Sequence, residues 1–149
     1  MTDFALRLAP TQPIMNSYQV ELVKKTWKIF REIDPVVVGD VFYSKLFLDA
    51  PQLKNLFHIS VAEQSIKLVD MLSVIVGRLD RLDEITESIR QLAIRHVAYG
   101  VKPFHYKLVG NALLYMLEKG LGKDWSPEVR EAWAACYKAL SDTMIEATR

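Results

Sequence analysis

The sequence predicts an all-α domain, and three observations lead to that prediction. Apolar residues recur every three or four positions along most of the 149 residues, which is the period of an amphipathic helix. Proline follows a capping residue at Asp34-Pro35 and again at Ser126-Pro127, a pattern typical of helix starts. No segment alternates apolar and polar residues as a strand does, so helices must supply the whole core.

Length and composition are those of one globular domain. Half of the residues are hydrophobic, a quarter are charged and the formal net charge is +1, so neither a nucleic-acid partner nor disorder is indicated. Cys136 is the single cysteine, which fits a reducing, cytoplasmic location. No apolar run reaches the roughly 18 residues of a membrane span. Residues 1–15 contain two prolines and are expected to form a flexible extension, and residues 16–149 to form the domain.

The first half of the domain contains three predicted helices. The second helix begins at Asp34-Pro35, and Pro51 either ends it or begins a short turn, after which residues 53–60 have no regular pattern. The third is a long helix followed by the polar link "RLDRLDE". The apolar stripes are Val20, Val23, Trp27 and Phe30, then Val38, Val41, Phe42 and Leu46, then Val61, Leu68, Leu72, Ile75 and Leu79.

The second half contains three more predicted helices. One ends near Gly100, the next opens at Pro103, and the last begins after Ser126. Gly and Pro at these places are the usual stop and start signals. The stripes are Ile85, Ile89, Leu92 and Ala93, then Tyr106, Val109, Leu113, Met116 and Leu117, then Val129, Trp133, Tyr137, Leu140 and Met144.

A histidine completes one of these apolar stripes. The stripe that runs through Ile89 and Leu92 continues to His96, just before the stop at Gly100. Taken alone, such a histidine is more often a core residue bonded to a carbonyl group. The other interpretation is a metal or haem ligand, because neutral imidazole is the commonest metal ligand among side chains.

Three further polar residues lie on faces that are otherwise apolar. Gln64 interrupts the stripe of the long helix, Tyr43 stands among phenylalanine and leucine, and Tyr106 belongs to the stripe after Pro103. A buried amide without a partner costs about 1–3 kcal/mol, so Gln64 needs a partner inside the domain. Together these residues indicate a cavity that holds a polar group.

Other chemistry has little support. The chain has no glycine-rich phosphate loop, no CxxC and no HExxH motif. His58 and His105 have no partner at metal-ligand spacing, and we expect both to be solvated. Cys136 has no evident base nearby in the sequence and is expected to be a small core residue.

The same polar residues, with their spacing, resemble those of a single-domain globin from Asn16 to near the C-terminus. The series Tyr43, Pro51 and Phe57 resembles the distal residue, the proline of the short third helix and the phenylalanine that stacks on haem. Gln64 and His96 then correspond to the distal and proximal positions. Gly39 and Ser65 also match the small residues at which two globin helices cross. The alternative all-α architecture is a helical bundle.

The sequence resembles two branches of the globin family. "RHVAYGVK" and "LLYMLEKGLG" look like neuroglobin, but Gln64 replaces the distal histidine that binds iron there. Tyr43, Gln64, Leu68 and Tyr106 look like the globin domain of bacterial flavohaemoglobins. Those proteins have a proximal glutamate where this chain has Thr148, with Glu146 two residues away, so the resemblance does not extend to that charge relay. The resemblance also implies that the chain ends where a flavin reductase would begin.

The resemblance implies a 3-on-3 globin fold around haem b. His96 would bind the iron, and Tyr106 would orient its imidazole. On the open side, Tyr43 and Gln64 would donate hydrogen bonds to a gas beside Leu68. The remaining expected haem contacts are Phe57, Leu92 and Val101, with Lys67 either paired to a propionate or solvated.

Three functions are compatible with that site. The first is reversible binding of dioxygen with high affinity, for storage, delivery or scavenging. The second is nitric oxide dioxygenation with a separate reductase, which would make the protein an enzyme. The third is a haem-based gas sensor. The expected small partners are O2, NO and CO.

Overall fold

The computed structural model describes residues 15–149, and this part of the chain is built from α-helices and short 3-10 helices. The prediction of an all-α fold is therefore confirmed. The extension predicted at residues 1–15 lies, apart from Met15, outside the described residues. The α-helices are α1 (Ser17–Phe30), α2 (Pro35–Asp49), α3 (Val61–Gly77), α4 (Thr86–Ala98), α5 (His105–Leu121) and α6 (Pro127–Ala147), and 3-10 helices occupy Pro51–Leu56, Leu79–Ile85 and Gly122–Asp124.

Side-chain caps define where four of the helices begin. Asn16 and Gln19 form a reciprocal capping box at α1, and the Asp34 carboxylate accepts the Val36 N–H at α2. Ser60 and Ser126 cap α3 and α6 in the same way. Each cap satisfies a backbone N–H that has no partner within its helix.

The helices pack in pairs around one apolar core. α2 packs on α3 and α5, while α6 packs on α1, α4 and α5. Trp133 is buried where α6 meets α1, and its indole N–H donates to Thr26 Oγ1 at 2.9 Å. Trp27 stacks on Phe30 with ring centroids 5.4 Å apart. These contacts hold the side of the domain formed by α1 and α6.

α2 and α3 cross where both carry a small residue. A Cβ atom added to Gly39 would overlap the side chain of Ser65 and lie 2.9 Å from its Cα. The crossing predicted from these two residues is therefore confirmed. Tyr43 follows Gly39 by one turn and Gln64 precedes Ser65, so the close approach brings both polar side chains to the same region.

Two segments differ from the expectation. Pro51 begins a short 3-10 helix, Pro51–Leu56, as one of the two alternatives had it, but residues 53–56 belong to this helix and are not irregular, and Leu53 is buried. The expected polar link contains a second 3-10 helix, Leu79–Ile85, kinked at Arg81. Leu79 is buried in this segment and does not belong to α3, which ends at Gly77. Short 3-10 turns lack the long apolar period that identifies an α-helix in sequence. None of the helices in residues 15–149 is long and apolar enough to cross a membrane.

Candidate functional site

A cavity of about 600 Å³ is lined by residues of α2, α3, α4, α5 and α6. This volume falls within the range of roughly 300–1,000 Å³ that is usual for ligand and cofactor sites. The structure brings every site residue expected from the sequence to its wall. These residues are Tyr43, Phe57, Gln64, Lys67, Leu68, Leu92, His96, Val101 and Tyr106.

His96 lines the cavity with one imidazole nitrogen already engaged. Its Nδ1 lies 2.8 Å from the carbonyl oxygen of Leu92, one turn earlier on α4. Because a carbonyl can only accept, Nδ1 carries the proton and Nε2 keeps its lone pair. Burial lowers the pKa of His96, the bond to Leu92 opposes that change, and the charge of Arg95 adds to it. The arrangement favours a neutral imidazole that can bind a metal.

The turn after α4 lies against the cavity. Val101 N–H donates to the carbonyl of His96 at 2.9 Å, and Gly100 between them has φ +97°. Only glycine adopts that backbone conformation without strain. A Cβ at Gly100 would also lie 3.2 Å from Leu56 Cδ2. Gly100 thus ends α4 and lets Val101 reach the cavity wall, as its position in the sequence suggested.

Tyr43 presents a neutral phenol inside an aromatic cluster. Its ring lies 4.8 Å from Phe42 and 5.4 Å from Phe57 between centroids, edge to face in both pairs. Burial raises the pKa of Tyr43 to about 12, so the O–H keeps its proton and can donate. Gln64 lines the same cavity with an amide that can also donate. Two potential donors therefore line one cavity.

Tyr106 does not hold His96 in this structure. The Leu92 carbonyl occupies Nδ1, and the recorded bond of Tyr106 is through its backbone oxygen, which accepts the Tyr137 O–H at 2.6 Å. The expected orienting role is therefore not met. Thr148 donates to backbone carbonyls of Met144 and Ile145. No carboxylate lines the cavity in the described part of the chain.

The expectation that His105 is solvated is wrong. His105 is 8% exposed and lines the cavity. Its Nδ1 accepts the Lys102 N–H at 2.9 Å, so the proton is on Nε2. Burial, followed by the charge of Lys102, lowers its pKa. The imidazole closes the turn ahead of α5, and nothing in the sequence spacing marks that local bond. His58 also lines the cavity, although it remains exposed.

Several wall residues were not anticipated from the sequence. Arg95 and Tyr99 follow Leu92 by three and seven residues, a helical spacing that could have placed both on the same side as Leu92. Residues on the α6 stripe were expected to be ordinary core. The unanticipated wall residues include Met71, Arg95, Tyr99, Tyr137, Ser141 and Met144.

The wall fits haem better than a metal bound by protein alone. Within residues 15–149 no three metal-binding side chains come together, so a metal at His96 would need other ligands, which a macrocycle supplies. The wall is largely apolar, as a porphyrin requires. Lys67 and Arg95 line it as well, and cations of this kind suit the carboxylates of the propionates.

Comparison with protein families and curated proteins finds the same architecture. The globin family model matches residues 40–144. An uncharacterized globin-like protein of Aquifex aeolicus is 31% identical over 132 residues, which are 89% of this chain and 93% of that protein. Neuroglobin of Tetraodon nigroviridis is 29% identical over 144 residues, with 87% and 90% of the two chains covered.

The flavohaemoproteins are longer than this chain. That of Bacillus subtilis is 25% identical over 135 residues, which are 89% of this chain but 34% of the relative. The chain thus spans about a third of the flavohaemoproteins that it matches.

Solved structures share the fold at low sequence identity. A bacterial globin from Campylobacter jejuni superposes with a TM-score of 0.78 at 23% identity, covering 89% of this chain and 95% of that one. An engineered carbene transferase, described as a candidate nitric oxide dioxygenase of Rhodothermus marinus, gives 0.80 at 23% identity, covering 89% and 92%. These superpositions confirm the helical arrangement that the sequence predicted.

Proposed function

The chain belongs to the globin family, and from that premise we propose that it binds haem b and reversibly binds dioxygen with high affinity. The observation that carries the proposal is the state of His96. Its Nδ1 is engaged by Leu92, and its Nε2 is left to bind iron at the wall of an apolar cavity. Haem iron supplies the bond to the gas. With a single cysteine, the chain contains no CxxCH motif of the kind that attaches haem by paired thioether links.

Tyr43 and Gln64 give the proposed site its affinity. A buried hydrogen bond to a group that carries charge is worth about 1.5–3 kcal/mol, so one such donor slows gas release by roughly ten- to hundredfold. Tyr43 stays protonated because burial raises its pKa to about 12. Its aromatic neighbours Phe42 and Phe57 also limit how far the ring can turn.

The absorbance spectrum of the purified protein tests the proposal. We expect a Soret band that shifts when the reduced protein takes up dioxygen and returns when the gas is removed. A protein that takes up no haem, or one whose reduced form is oxidised at once without a stable oxygenated spectrum, contradicts the proposal.

A second candidate function is nitric oxide dioxygenation, with electrons from a separate reductase. It is favoured by the similarity to flavohaemoproteins and to the candidate nitric oxide dioxygenase. The absence of a carboxylate from the described cavity wall weighs against it, because His96 is bonded only to a neutral carbonyl. Mixing the oxygenated protein with nitric oxide tests the chemistry. Sustained turnover with a cellular reductase separates an enzyme from an oxygen-binding protein.

A further inference from the structure

Three exposed apolar side chains lie close together in sequence, in a segment that borders the cavity. Val97, Tyr99 and Phe104 are 51%, 57% and 66% exposed, at the end of α4 and in the turn that leads to α5. Isolated apolar residues are normal on a protein surface, but a local group of large ones often marks an interaction site. We call residues 94–107 the corner face.

The corner face is positively charged. Residues 88–117 contain no Asp or Glu, although the whole chain has 18 of them in 149 residues. Arg95, Lys102 and Lys107 are exposed in this stretch. Within the described range, 15–149, none of the three forms an ion pair.

The corner face adjoins the cavity directly. Arg95 and Tyr99 are exposed to solvent and also line the cavity wall. Gly100 packs against Leu56, so the 3-10 helix Pro51–Leu56 borders the same region. Residues 51–59 contain Lys54 and no acidic residue. A partner bound here would lie beside the opening of the cavity and would meet both basic and exposed apolar side chains.

We propose that the corner face docks a separate electron-donor protein with an acidic surface, of the one-electron iron–sulfur class. The inference rests on the haem-binding part of the proposed function, because iron that binds dioxygen must be ferrous. In the step it serves, a reduced [2Fe–2S] centre loses one electron, and ferric iron gains it. No covalent bond is made or broken. Opposite charges steer such encounters and set their orientation, and interfaces of electron-transfer pairs are small.

A membrane surface also attracts basic and apolar residues, but the shape of the corner face fits it less well. Amphipathic helices that lie on membranes keep one long apolar face free for the lipid. α4 instead buries Ile89 and Ala93 in the protein core, so only its last turn and the following corner contribute exposed apolar groups. Because the corner face adjoins the cavity, a protein bound there could pass an electron to the haem, whereas a lipid surface could not.

Binding of an acidic plant-type ferredoxin, in its oxidised form, to the haem-loaded protein tests the proposal. Titration calorimetry at low and high salt would measure the dissociation constant. We expect Lys102→Glu to weaken binding by roughly three- to tenfold at low salt and to reduce the salt dependence. The matched control is Lys25→Glu, which reverses an exposed lysine on α1. Equal effects of the two substitutions would overturn the proposal.

The contribution of the exposed apolar side chains is tested in the same titration. Phe104→Ser should weaken binding, whereas Val37→Ser, which alters a side chain 57% exposed on α2, should leave it unchanged. Reduction by reduced ferredoxin should slow in Lys102→Glu, while reduction by dithionite at high salt should not. Binding to phosphatidylserine vesicles without binding to ferredoxin would replace the proposal with membrane attachment.

Oxygen binding is measured separately, so the two proposals fail in different ways. If the protein binds dioxygen reversibly but ferredoxin binding does not depend on Lys102 and Phe104, the docking proposal is wrong. If docking depends on those residues in haem-loaded protein that forms no stable oxygen complex, the docking proposal stands and the oxygen-binding function is wrong.

Discussion

The Nδ1 atom of His96 lies 2.8 Å from the carbonyl oxygen of Leu92, and this bond decides the chemistry available to the imidazole. The carbonyl fixes the proton on Nδ1 and turns the ring so that Nε2 is left for the cavity. A carbonyl is a weaker hydrogen-bond acceptor for the Nδ1 proton than a carboxylate is, so the His96 imidazole would be a neutral and weakly basic ligand. Such a ligand suits reversible gas binding more than cleavage of an oxygen–oxygen bond.

Replacing His96 with alanine tests its role as the iron ligand. We expect His96→Ala to lose the normal Soret spectrum, because the substitution removes the Nε2 atom that would bind the iron while Nδ1 is held by Leu92. Imidazole added to the variant should restore the spectrum by filling the vacated space. His58→Ala is the control, since His58 also lines the cavity but remains exposed. An unchanged spectrum in His96→Ala would show that His96 is not the iron ligand.

Removing the hydroxyl of Tyr43 tests the origin of slow gas release. Tyr43→Phe keeps the ring and its packing against Phe42 and Phe57. We expect dioxygen to dissociate roughly ten- to hundredfold faster, because one buried donor is lost. Tyr115→Phe, on the exposed side of α5, is the control. Stopped-flow replacement of dioxygen by carbon monoxide measures the rate, and equal rates for wild type and Tyr43→Phe would show that Tyr43 makes no such bond.

Cys136 makes stability depend on alkaline pH. Burial raises the pKa of its thiol from 9.0 to about 12. A raised pKa means that the unfolded chain releases its proton first, so the free energy of unfolding falls as pH rises from about 9 to about 12. Between about pH 8 and pH 10.5 this loss is roughly 2 kcal/mol. Cys136→Ala should lack that part of the loss in urea unfolding at matched haem content. Parallel pH curves for both proteins would contradict it.

The helices could be predicted from sequence because burial imposes a period on them. Phe30, Leu46 and Trp133 fall on predicted apolar stripes and are almost fully buried. Asp34 and Ser126 were recognisable as caps, because a short polar side chain before proline has few other uses. At these positions the capping residues and the buried apolar faces indicate the same helices, so the sequence alone was sufficient to predict them.

The positions of side chains at the edge of the cavity depend on how separate helices and turns pack together, and the sequence predicts them less well. His105 is buried because its Nδ1 accepts the Lys102 N–H in a turn, a bond that no periodicity records. Arg95 and Tyr99 are exposed and still reach the wall, because the cavity opens there. His96, Gln64 and Tyr43 were found because each is a polar residue on an apolar face. Their roles toward haem and gas stay predictions.

The contact between Gly39 and Ser65 gives the sharpest test of the packing that places Tyr43 and Gln64. A Cβ at position 39 meets the Ser65 side chain and approaches its backbone, so α2 and α3 must move apart. We expect Gly39→Ala to lower the free energy of unfolding by about 1–3 kcal/mol, as overpacking of a core does. Faster dioxygen release should accompany the loss, because both distal donors lie beside the crossing.

Gly77 in α3 is the matched control for that substitution. A Cβ there meets nothing within 4 Å, so Gly77→Ala should be neutral or should stabilise the helix by up to about 1 kcal/mol. Adding Ser65→Gly to Gly39→Ala removes the colliding side chain and should restore part of the lost stability. Urea unfolding of the four proteins measures each value. If Gly39→Ala is as stable as Gly77→Ala, the close crossing does not constrain the distal side of the cavity.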